Sequence, residues 1–375
     1  MSTVRANTYL DASGGSAAQL YGVASPPNSM GFRNRILNGD CRIDQRNAGA
    51  SVTQTTSVVY TVDRWSCYGS AASKFTVQRN AGSVTPPTGF TNYLGATSSS
   101  AYSVGASEFF FIQQVIEGFN VADLGWGTAS AQSVTLSFWV RSSLTGTFGG
   151  TISNGATNRV YPFTFTISSA NTWEQKTLTV SGDTTGTWSA DNSGGIVVNF
   201  NMGAGASVSG TAGAWSGSTL RAPTGATSVV GTNGATFYIT GVQLEAGTVA
   251  SPFERRDYGR ELMMCQRYYC KTFNQSVVPA SNAGQAGGFV VPAPANTAGD
   301  RGYLVTWRFP VSMRAAPTVT TFNPSAAGSG WFTSSGGSVA ASTANAGTDA
   351  VMITHTGAAT ANQNAVIHAT ASIEL

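Results

Sequence analysis

The chain has 375 residues, enough for two or three domains of roughly 100–200 residues each. Lys, Arg, Asp and Glu make up 10% of it, where about 25% is usual in soluble proteins. The net charge is +3, and the basic residues do not form a run, which argues against a nucleic-acid binder. No apolar stretch reaches the ~18 residues of a membrane span, which argues against a membrane-spanning protein. With 44 glycines and few lysines, Ser- and Thr-rich β-structure is expected.

Residues 1–33 are polar and weakly patterned, and Pro26-Pro27 excludes a helix around them. We expect an extended arm that anchors the chain to another protein or to a neighbouring subunit. An arm folded back on its own domain is the alternative. The first twenty residues have no apolar core of signal-peptide type, so we expect synthesis in the cytoplasm without export.

Residues 34–255 contain short strand-like runs separated by Gly, Ser, Asn and Thr clusters. In Val134–Val140 and Tyr161–Ile167 apolar residues alternate with polar ones, as in half-buried strands. Pro162 marks an edge strand or a bulge. The run Phe109–Ile116 is apolar on both faces, which indicates a strand buried on both sides. Many short strands joined by turn residues predict a sandwich or jelly roll.

Residues 256–271 concentrate charge, and Leu262, Cys265, Gln266 and Tyr269 recur at helical spacing. The pattern predicts a short linker helix with Asp257 as its N-cap. Residues 272–375 return to alternating strands and predict a smaller β-sandwich. In the last strand Ile367 shares one face with small alanines, and His368 lies on the opposite face.

The four cysteines have no CxxC spacing, and the only histidines are His355 and His368, so a zinc site is not expected. Buried free thiols are the expectation, with Cys41–Cys67 the favoured pair if a disulfide forms. We expect His368 at the surface or at a subunit contact. The alternative is a ring of histidines around a threefold axis, which could hold a metal ion.

Three motifs look familiar together. They are NRILNGDCRIDQRNAG (Asn34–Gly49) with YTVDRW (Tyr60–Trp65), the long stretch Phe237–Tyr269, and FPVSMRAAPTVT (Phe309–Thr320). This set resembles bacteriophage and prophage tail-fibre and minor virion proteins, whose central domain is similar to the jelly roll of carbohydrate-binding modules. The resemblance covers most of residues 34–320. It implies a fibre, appendage or decoration of the virion that is often adhesive and often trimeric.

The same motifs have structural interpretations of their own. Asn38 and Gly39 can supply positive φ for a tight turn before the first strand. Asp63, Arg64 and Trp65 place ion-pairing groups beside a large aromatic, which predicts a buried bridge between Arg64 and a carboxylate rather than a ligand contact.

Sugar binding needs exposed aromatic side chains with polar partners nearby. Trp139 and Arg141 are the first candidates on a strand, and Trp126 and Trp215 are candidates in glycine-flanked loops. The alternative is that these tryptophans belong to the core. Calcium is common in jelly rolls of the kind this chain resembles, which makes Asp40 and Glu245 candidate ligands, although no DxDxDG-like loop supports them.

Enzyme chemistry is not expected. A Ser-His-Asp site needs a histidine near a nucleophile, and no GxSxG turn occurs. A glycosidase pair drawn from Glu108, Glu117, Asp123 and Glu174 stays open at low weight.

The sequence thus predicts an all-β chain with four parts: an N-terminal arm (1–33), a jelly-roll domain (34–255), a linker helix (256–271) and a C-terminal β-sandwich (272–375). With the resemblance, we expect a non-enzymatic virion protein without a cofactor, and a bound Ca²⁺ is the alternative. As a tail fibre or appendage it would be anchored by its arm to other virion proteins, form a homotrimer and contact host glycans. A capsid decoration protein or head fibre is the alternative, and a glycan-cleaving tailspike is a lesser one.

Overall fold

A computed structural model describes residues 32–292, 303–355 and 363–375, together with a hairpin of β1 (Gln19–Leu20) and β2 (Val23–Ala24). Apart from that hairpin and residues 32–33, the predicted anchoring arm lies outside the described residues. None of the helices in the described ranges has the length and apolar character that crossing a bilayer requires.

The first β-sandwich is built from two antiparallel six-stranded sheets. The strands are β3 (Val52–Thr53), β4 (Val59–Tyr60), β5 (Ser66–Gly69), β6 (Phe75–Arg79), β7 (Leu94–Ser98), β8 (Phe109–Glu117), β9 (Val134–Ser142), β10 (Gly146–Asn154), β11 (Val160–Ile167), β12 (Glu174–Val180), β13 (Gly194–Ala204), β14 (Ser209–Gly210), β15 (Ala222–Pro223) and β16 (Thr236–Ala246). The first sheet has the order β12-β9-β16-β7-β6-β3, and the second has the order β11-β10-β13-β8-β5-β4. A short parallel pair, β14 with β15, joins neither sheet.

Short 3₁₀ turns connect some of these strands. They span Ala81–Ser83, Gly118–Asn120, Ala122–Leu124 and Ala206–Val208.

The alternation read from the sequence sets the core of this sandwich. On β9 the predicted inner residues Val134, Leu136, Phe138 and Val140 are fully buried between the two sheets. Pro162 lies on β11, an edge strand of the second sheet, where the missing amide hydrogen costs no ladder bond. The fold is therefore the predicted all-β jelly-roll sandwich.

Asn38 and Gly39 form a buried turn against β16, and each residue is suited to its position for a different reason. Asn38 adopts a φ of 54°, and its Nδ2 donates to the carbonyls of Ile43 (2.8 Å) and Asp63 (2.9 Å). Gly39 does not need positive φ, contrary to expectation. It is required because a Cβ at this position would lie 2.2 Å from the Val242 carbonyl oxygen.

The Asp63-Arg64-Trp65 motif is buried throughout. Asp63 accepts hydrogen bonds from Gln45, and burial raises the pKa of its carboxyl. Arg64 forms an ion pair with Glu374, far away in the chain, and its guanidinium lies 3.5 Å from the Tyr268 ring centroid. The motif therefore joins the first sandwich to the end of the C-terminal part.

One α-helix, α1 (Tyr258–Gln266), follows the first sandwich. Asp257 is its N-cap, as predicted, and its side chain accepts a hydrogen bond from the Arg260 amide at 2.8 Å. The helix ends before the predicted boundary because Tyr269–Lys271 form a strand paired with the last strand of the chain.

The C-terminal part is a smaller β-sandwich with its own buried cluster, which includes Trp307, Trp331 and Ile353. Its strands are β17 (Tyr269–Lys271), β18 (Phe289–Val291), β19 (Leu304–Arg308), β20 (Thr318–Phe322), β21 (Trp331–Thr333), β22 (Ser338–Val339), β23 (Ala341–Ala344), β24 (Ala350–His355) and β25 (Ala365–Ser372). One sheet is organised around β25, and the other has the order β19-β24-β23. The boundaries between the domains stay a prediction.

His368 is not at the surface, so that expectation was wrong. Strand β25 is covered on both faces, and His368 is fully buried. Its ring stacks on Phe273 at 4.0 Å, Nδ1 lies 2.8 Å from Thr272 Oγ1, and Nε2 lies 3.1 Å from the Gly284 carbonyl oxygen. Burial lowers the pKa of the imidazole below its usual value.

Because of this burial we expect the C-terminal sandwich to lose stability in acid. Because the unfolded imidazole has the higher pKa, its contribution to stability is complete above pH 6.5 and is lost as pH falls through the folded pKa. We expect the melting temperature of the native protein to fall more between pH 7.5 and pH 5 than that of His368→Gln. The matched control is His355→Gln, which should follow the native protein. Equal falls for all three proteins would contradict the prediction.

All four cysteines are buried free thiols, so Cys41 and Cys67 do not form the disulfide considered above. Burial raises the pKa of Cys67 and of Cys270 to about 12, and also raises that of Cys41 and Cys265. Cys41 and Cys67 lie in the first core, Cys270 lies in the second, and Cys265 lies on α1.

Candidate functional site

A row of polar side chains crosses the outer face of the second sheet. Thr151 on β10 is opposite Asn199 on β13, Asn199 is opposite Gln113 on β8, and Gln113 is opposite Ser66 on β5. Residues that face each other across antiparallel strands share a face of the sheet. We call these four residues the polar row.

Asn199 is the unusual member of the polar row. It is only 2% exposed, and its Oδ1 has no hydrogen-bond partner among the described residues. By contrast, Asn201, two positions along the same strand, accepts a hydrogen bond from the Gly203 amide at 3.0 Å. Buried amide groups are normally paired with protein or water, so the unpaired group in the polar row indicates a place for a ligand or water.

Three aromatic rings lie beside the polar row and form what we call the aromatic cluster. Tyr68 contacts Phe109 and Phe111 at ring-centroid distances of 5.5 and 5.6 Å, and the two phenylalanine rings stack at 5.7 Å. Tyr68 and Phe109 are half-buried, whereas Phe111 is buried. Amides beside partly exposed rings provide both hydrogen bonds and an apolar surface for a polyhydroxylated ligand.

Trp139 and Arg141 lie together on the outer face of the first sheet. Trp139 is half-buried, opposite Gln175 and Thr240. Arg141 donates through Nε to the Asn171 carbonyl at 2.9 Å and lies 5.6 Å from the Tyr238 ring centroid. Their role in sugar binding stays a prediction, on a face different from that of the polar row.

Trp126 and Trp215 come together, but as packing groups. With Trp188 they form a cluster of edge-to-face rings, with centroids 4.6 Å apart for Trp126–Trp188 and 5.4 Å apart for the other two pairs. The expectation that Trp126 is an exposed platform was wrong, because it is 7% exposed and its indole nitrogen donates to the Gln132 carbonyl. Trp215 is half-buried, and its indole nitrogen donates to the Ser181 carbonyl.

The candidate calcium ligands each have protein partners of their own. Asp40 forms an ion pair with Arg42 at 3.3 Å, and burial raises the pKa of the Asp40 carboxyl. Glu245 accepts hydrogen bonds from the amide and hydroxyl of Ser251. Within the described ranges no three or more His, Cys, Asp or Glu side chains are grouped so as to hold a metal ion. The structure therefore gives no support to calcium at Asp40 and Glu245.

The four carboxylates considered for glycoside hydrolysis are also engaged. Glu117 accepts hydrogen bonds from Arg267 and Tyr268, while Asp123 and Glu174 pair with Arg35 and Lys176 at 2.6 Å. The fourth, Glu108, accepts a hydrogen bond from the Gly105 amide, which lowers the pKa of its carboxyl. A general acid needs the opposite shift.

Part of the pattern that marks the outer face of the second sheet is visible in the sequence, although the polar row was not predicted from it. In Phe109–Glu117 the odd-numbered positions Phe109, Phe111 and Gln113 share a face, and Asn199 alternates with buried apolar residues on β13. Strand register was the missing information, because it alone brings β5, β8 and β13 side by side.

No protein-family model matches the sequence, and no curated protein matches it. Solved structures with some similarity include the enzymatically active domain of bacteriophage CBA120 tailspike protein 4, at 12% identity and a TM-score of 0.30. That match covers 57% of this chain and 21% of the tailspike chain, so the chain spans about a fifth of that relative's length.

Two carbohydrate-binding modules match this chain with similarly low sequence identity and TM-score. The family 11 module from Clostridium thermocellum, in complex with a beta-1,3-1,4-mixed-linked tetrasaccharide, matches at 12% identity with a TM-score of 0.29, covering 51% of this chain and 92% of the module. TmCBM61, in complex with beta-1,4-galactotriose, matches at 12% identity with a TM-score of 0.25, covering 49% and 88%. With identities and TM-scores this low, the matches carry no argument about function.

Proposed function

We propose that this chain is a non-enzymatic structural protein of a bacteriophage particle that binds host surface glycans through the outer face of its second sheet. The observation that supports the glycan site most directly is Asn199, whose buried Oδ1 has no hydrogen-bond partner among the described residues and which lies opposite Gln113, two positions from Phe111 on β8. The virion role rests on the motif resemblance described above. Attachment by residues 1–33 and a trimeric assembly belong to the same proposal.

The chemistry of this face suits a sugar. Gln113 is the half-buried member of the polar row and presents an amide, whereas Ser66, Thr151 and Asn199 lie buried beside it at the spacing of adjacent strands, about 5 Å. Pyranose hydroxyls can pair with the Gln113 amide while the less polar face of the ring lies on Tyr68. The two sheets hold the residues on extended strands rather than on loops, so little ordering is needed on binding.

The test is glycan binding by purified, full-length protein on an array of bacterial surface polysaccharides. We expect binding to at least one polymer, and we expect Asn199→Ala and Tyr68→Ala each to weaken it about tenfold or more, as loss of one well-paired contact does. Tyr258→Ala, which removes an exposed tyrosine on α1, is the matched control and should bind as the native protein does, and Trp139→Ala tests the outer face of the first sheet. Release of reducing ends from the bound polymer should not occur.

Two results would count against the proposal. Absence of binding to every polymer by folded protein would remove the adhesive role. Weakening by Trp139→Ala alone would move the site to the outer face of the first sheet, around Trp139 and Arg141.

A further inference from the structure

Arg221 is held over the aromatic cluster by the segment that crosses outside the second sheet. Its amide donates to the Val208 carbonyl at 2.7 Å, and β15 begins at the next residue. The ring of Pro223 then packs on β10 at Gly149, where a Cβ would lie 2.3 Å from Pro223 Cγ. The backbone at Arg221 is therefore fixed relative to the sheet.

The guanidinium of Arg221 contacts rings but no acid. Its Cζ lies 5.1 Å from the Phe109 ring centroid and 5.9 Å from that of Phe111. Within the described residues its side chain has neither an ion pair nor a hydrogen bond. Arg159, by contrast, is paired with an acid, because its guanidinium binds both carboxylate oxygens of Asp183 at 2.6 and 2.8 Å.

A half-buried guanidinium without a counter-ion is suited to an anion. Burial lowers the pKa of Arg221, yet the group stays charged at neutral pH because an arginine pKa is so high. Its planar fork matches a carboxylate, and partial burial strengthens such charge-assisted hydrogen bonds. Its contacts with the Phe109 and Phe111 rings use no N–H donor in a hydrogen bond, so the donors can serve a ligand.

We infer that the face formed by the polar row, the aromatic cluster and Arg221 takes an acidic glycan, with the carboxylate of a uronic- or sialic-acid-type sugar on Arg221. This inference rests on the proposed function and adds the charge class of the ligand. The neighbouring sugar hydroxyls then lie toward Gln113 and its opposite residue Asn199, which are two residue pairs along β8 and β13 from the Phe111–Asn201 pair.

The test has two stages and uses full-length protein. The first is an array of uronate-bearing capsular polysaccharides, polysialic acid, a phosphate-bearing teichoic acid, and neutral dextran and galactan. The second takes the tightest-binding carboxylated polymer and its carboxyl-reduced form, in which each acid has become a primary alcohol. Titration calorimetry measures both forms with native protein, Arg221→Ala and the control Arg308→Ala, which removes an exposed arginine of the C-terminal sandwich.

We expect the tightest ligand to be carboxylated, and carboxyl reduction to weaken binding by about 10- to 100-fold, the range for one charged hydrogen-bonding contact. Arg221→Ala should weaken binding of the native polymer by a similar factor and leave binding of the reduced polymer unchanged. Arg308→Ala should bind both forms as the native protein does. Arg221→Gln, which keeps most of the side chain, should reproduce Arg221→Ala if misfolding is not the cause.

The outcomes of these experiments distinguish failure of the acidic-glycan inference from failure of the proposed function. A neutral polymer as the tightest ligand, or an equal effect of Arg221→Ala on native and reduced polymer, would overturn the acidic-glycan inference and leave the proposed function in place. A teichoic acid as the tightest ligand would assign the site to phosphate and overturn the carboxylate assignment. Absence of binding to every polymer would overturn both the inference and the proposed function.

Discussion

Replacing Glu374 with glutamine is expected to lower the free energy of unfolding by about 3–5 kcal/mol, the usual cost of leaving one partner of a buried ion pair alone. Glu374 is the counter-ion of Arg64, whose side chain is 2% exposed, and also pairs with Arg46 at 3.0 Å. Glutamine would remove the carboxylate that pairs with both arginines. The contact of Arg64 with Tyr268 cannot offset this, because a cation–π contact does not neutralise charge.

The matched control is Asp123→Asn. Asp123 pairs with Arg35 at 2.6 Å, but its side chain is 56% exposed, and surface pairs contribute about 0–1 kcal/mol. Urea unfolding followed separately in the two sandwiches measures both variants, because a chain with two cores need not unfold in one step. If Glu374→Gln unfolds at the same urea concentration as Asp123→Asn, the buried pair does not hold the C-terminal segment in place.

Trp65→Ala is expected to lower the free energy of unfolding by about 3–5 kcal/mol, as truncation of a buried tryptophan commonly does. Trp65 is fully buried in the first core, and its ring lies 6.3 Å from that of Phe200. Its indole nitrogen donates to the buried carbonyl of Asn38 at 3.1 Å. The alanine variant therefore loses apolar burial and also leaves that carbonyl unpaired.

Trp65→Phe separates these two losses. It keeps an aromatic ring in the core but removes the hydrogen bond to Asn38, so we expect a smaller cost of about 1–3 kcal/mol. The midpoint of urea unfolding, read from the first sandwich, compares the two variants. Equal losses for Ala and Phe would mean that the hydrogen bond, not packing, accounts for the role of Trp65.

Local patterns predicted the fold well because they depend on neighbouring residues. Alternation identified the inner face of β9, Pro162 marked an edge strand, and Asp257 identified the start of α1. Each of these signals spans only a few residues, and the same short-range rules of side-chain direction and capping determine the structure that forms.

Long-range contacts could not be predicted in the same way. The partner of Arg64 lies 310 residues further along the chain, so the motif predicted a bridge but not its carboxylate. Trp126 is buried because Trp188 and Trp215 pack around it from other segments. His368 shows the same limit, because alternation gives two faces of a strand but not that both are covered.

The four buried thiols give the molecule a built-in set of chemical reporters. Thiolate is the form that reacts with electrophiles, and burial disfavours it at each of these positions. A thiol-reactive dye added to folded protein can therefore label a cysteine only when the structure around it opens. Cys41 and Cys67 would record opening of one core, and Cys270 would record opening of the other. The order of labelling then tells which sandwich loosens first, and a cysteine introduced at an exposed position could be labelled selectively.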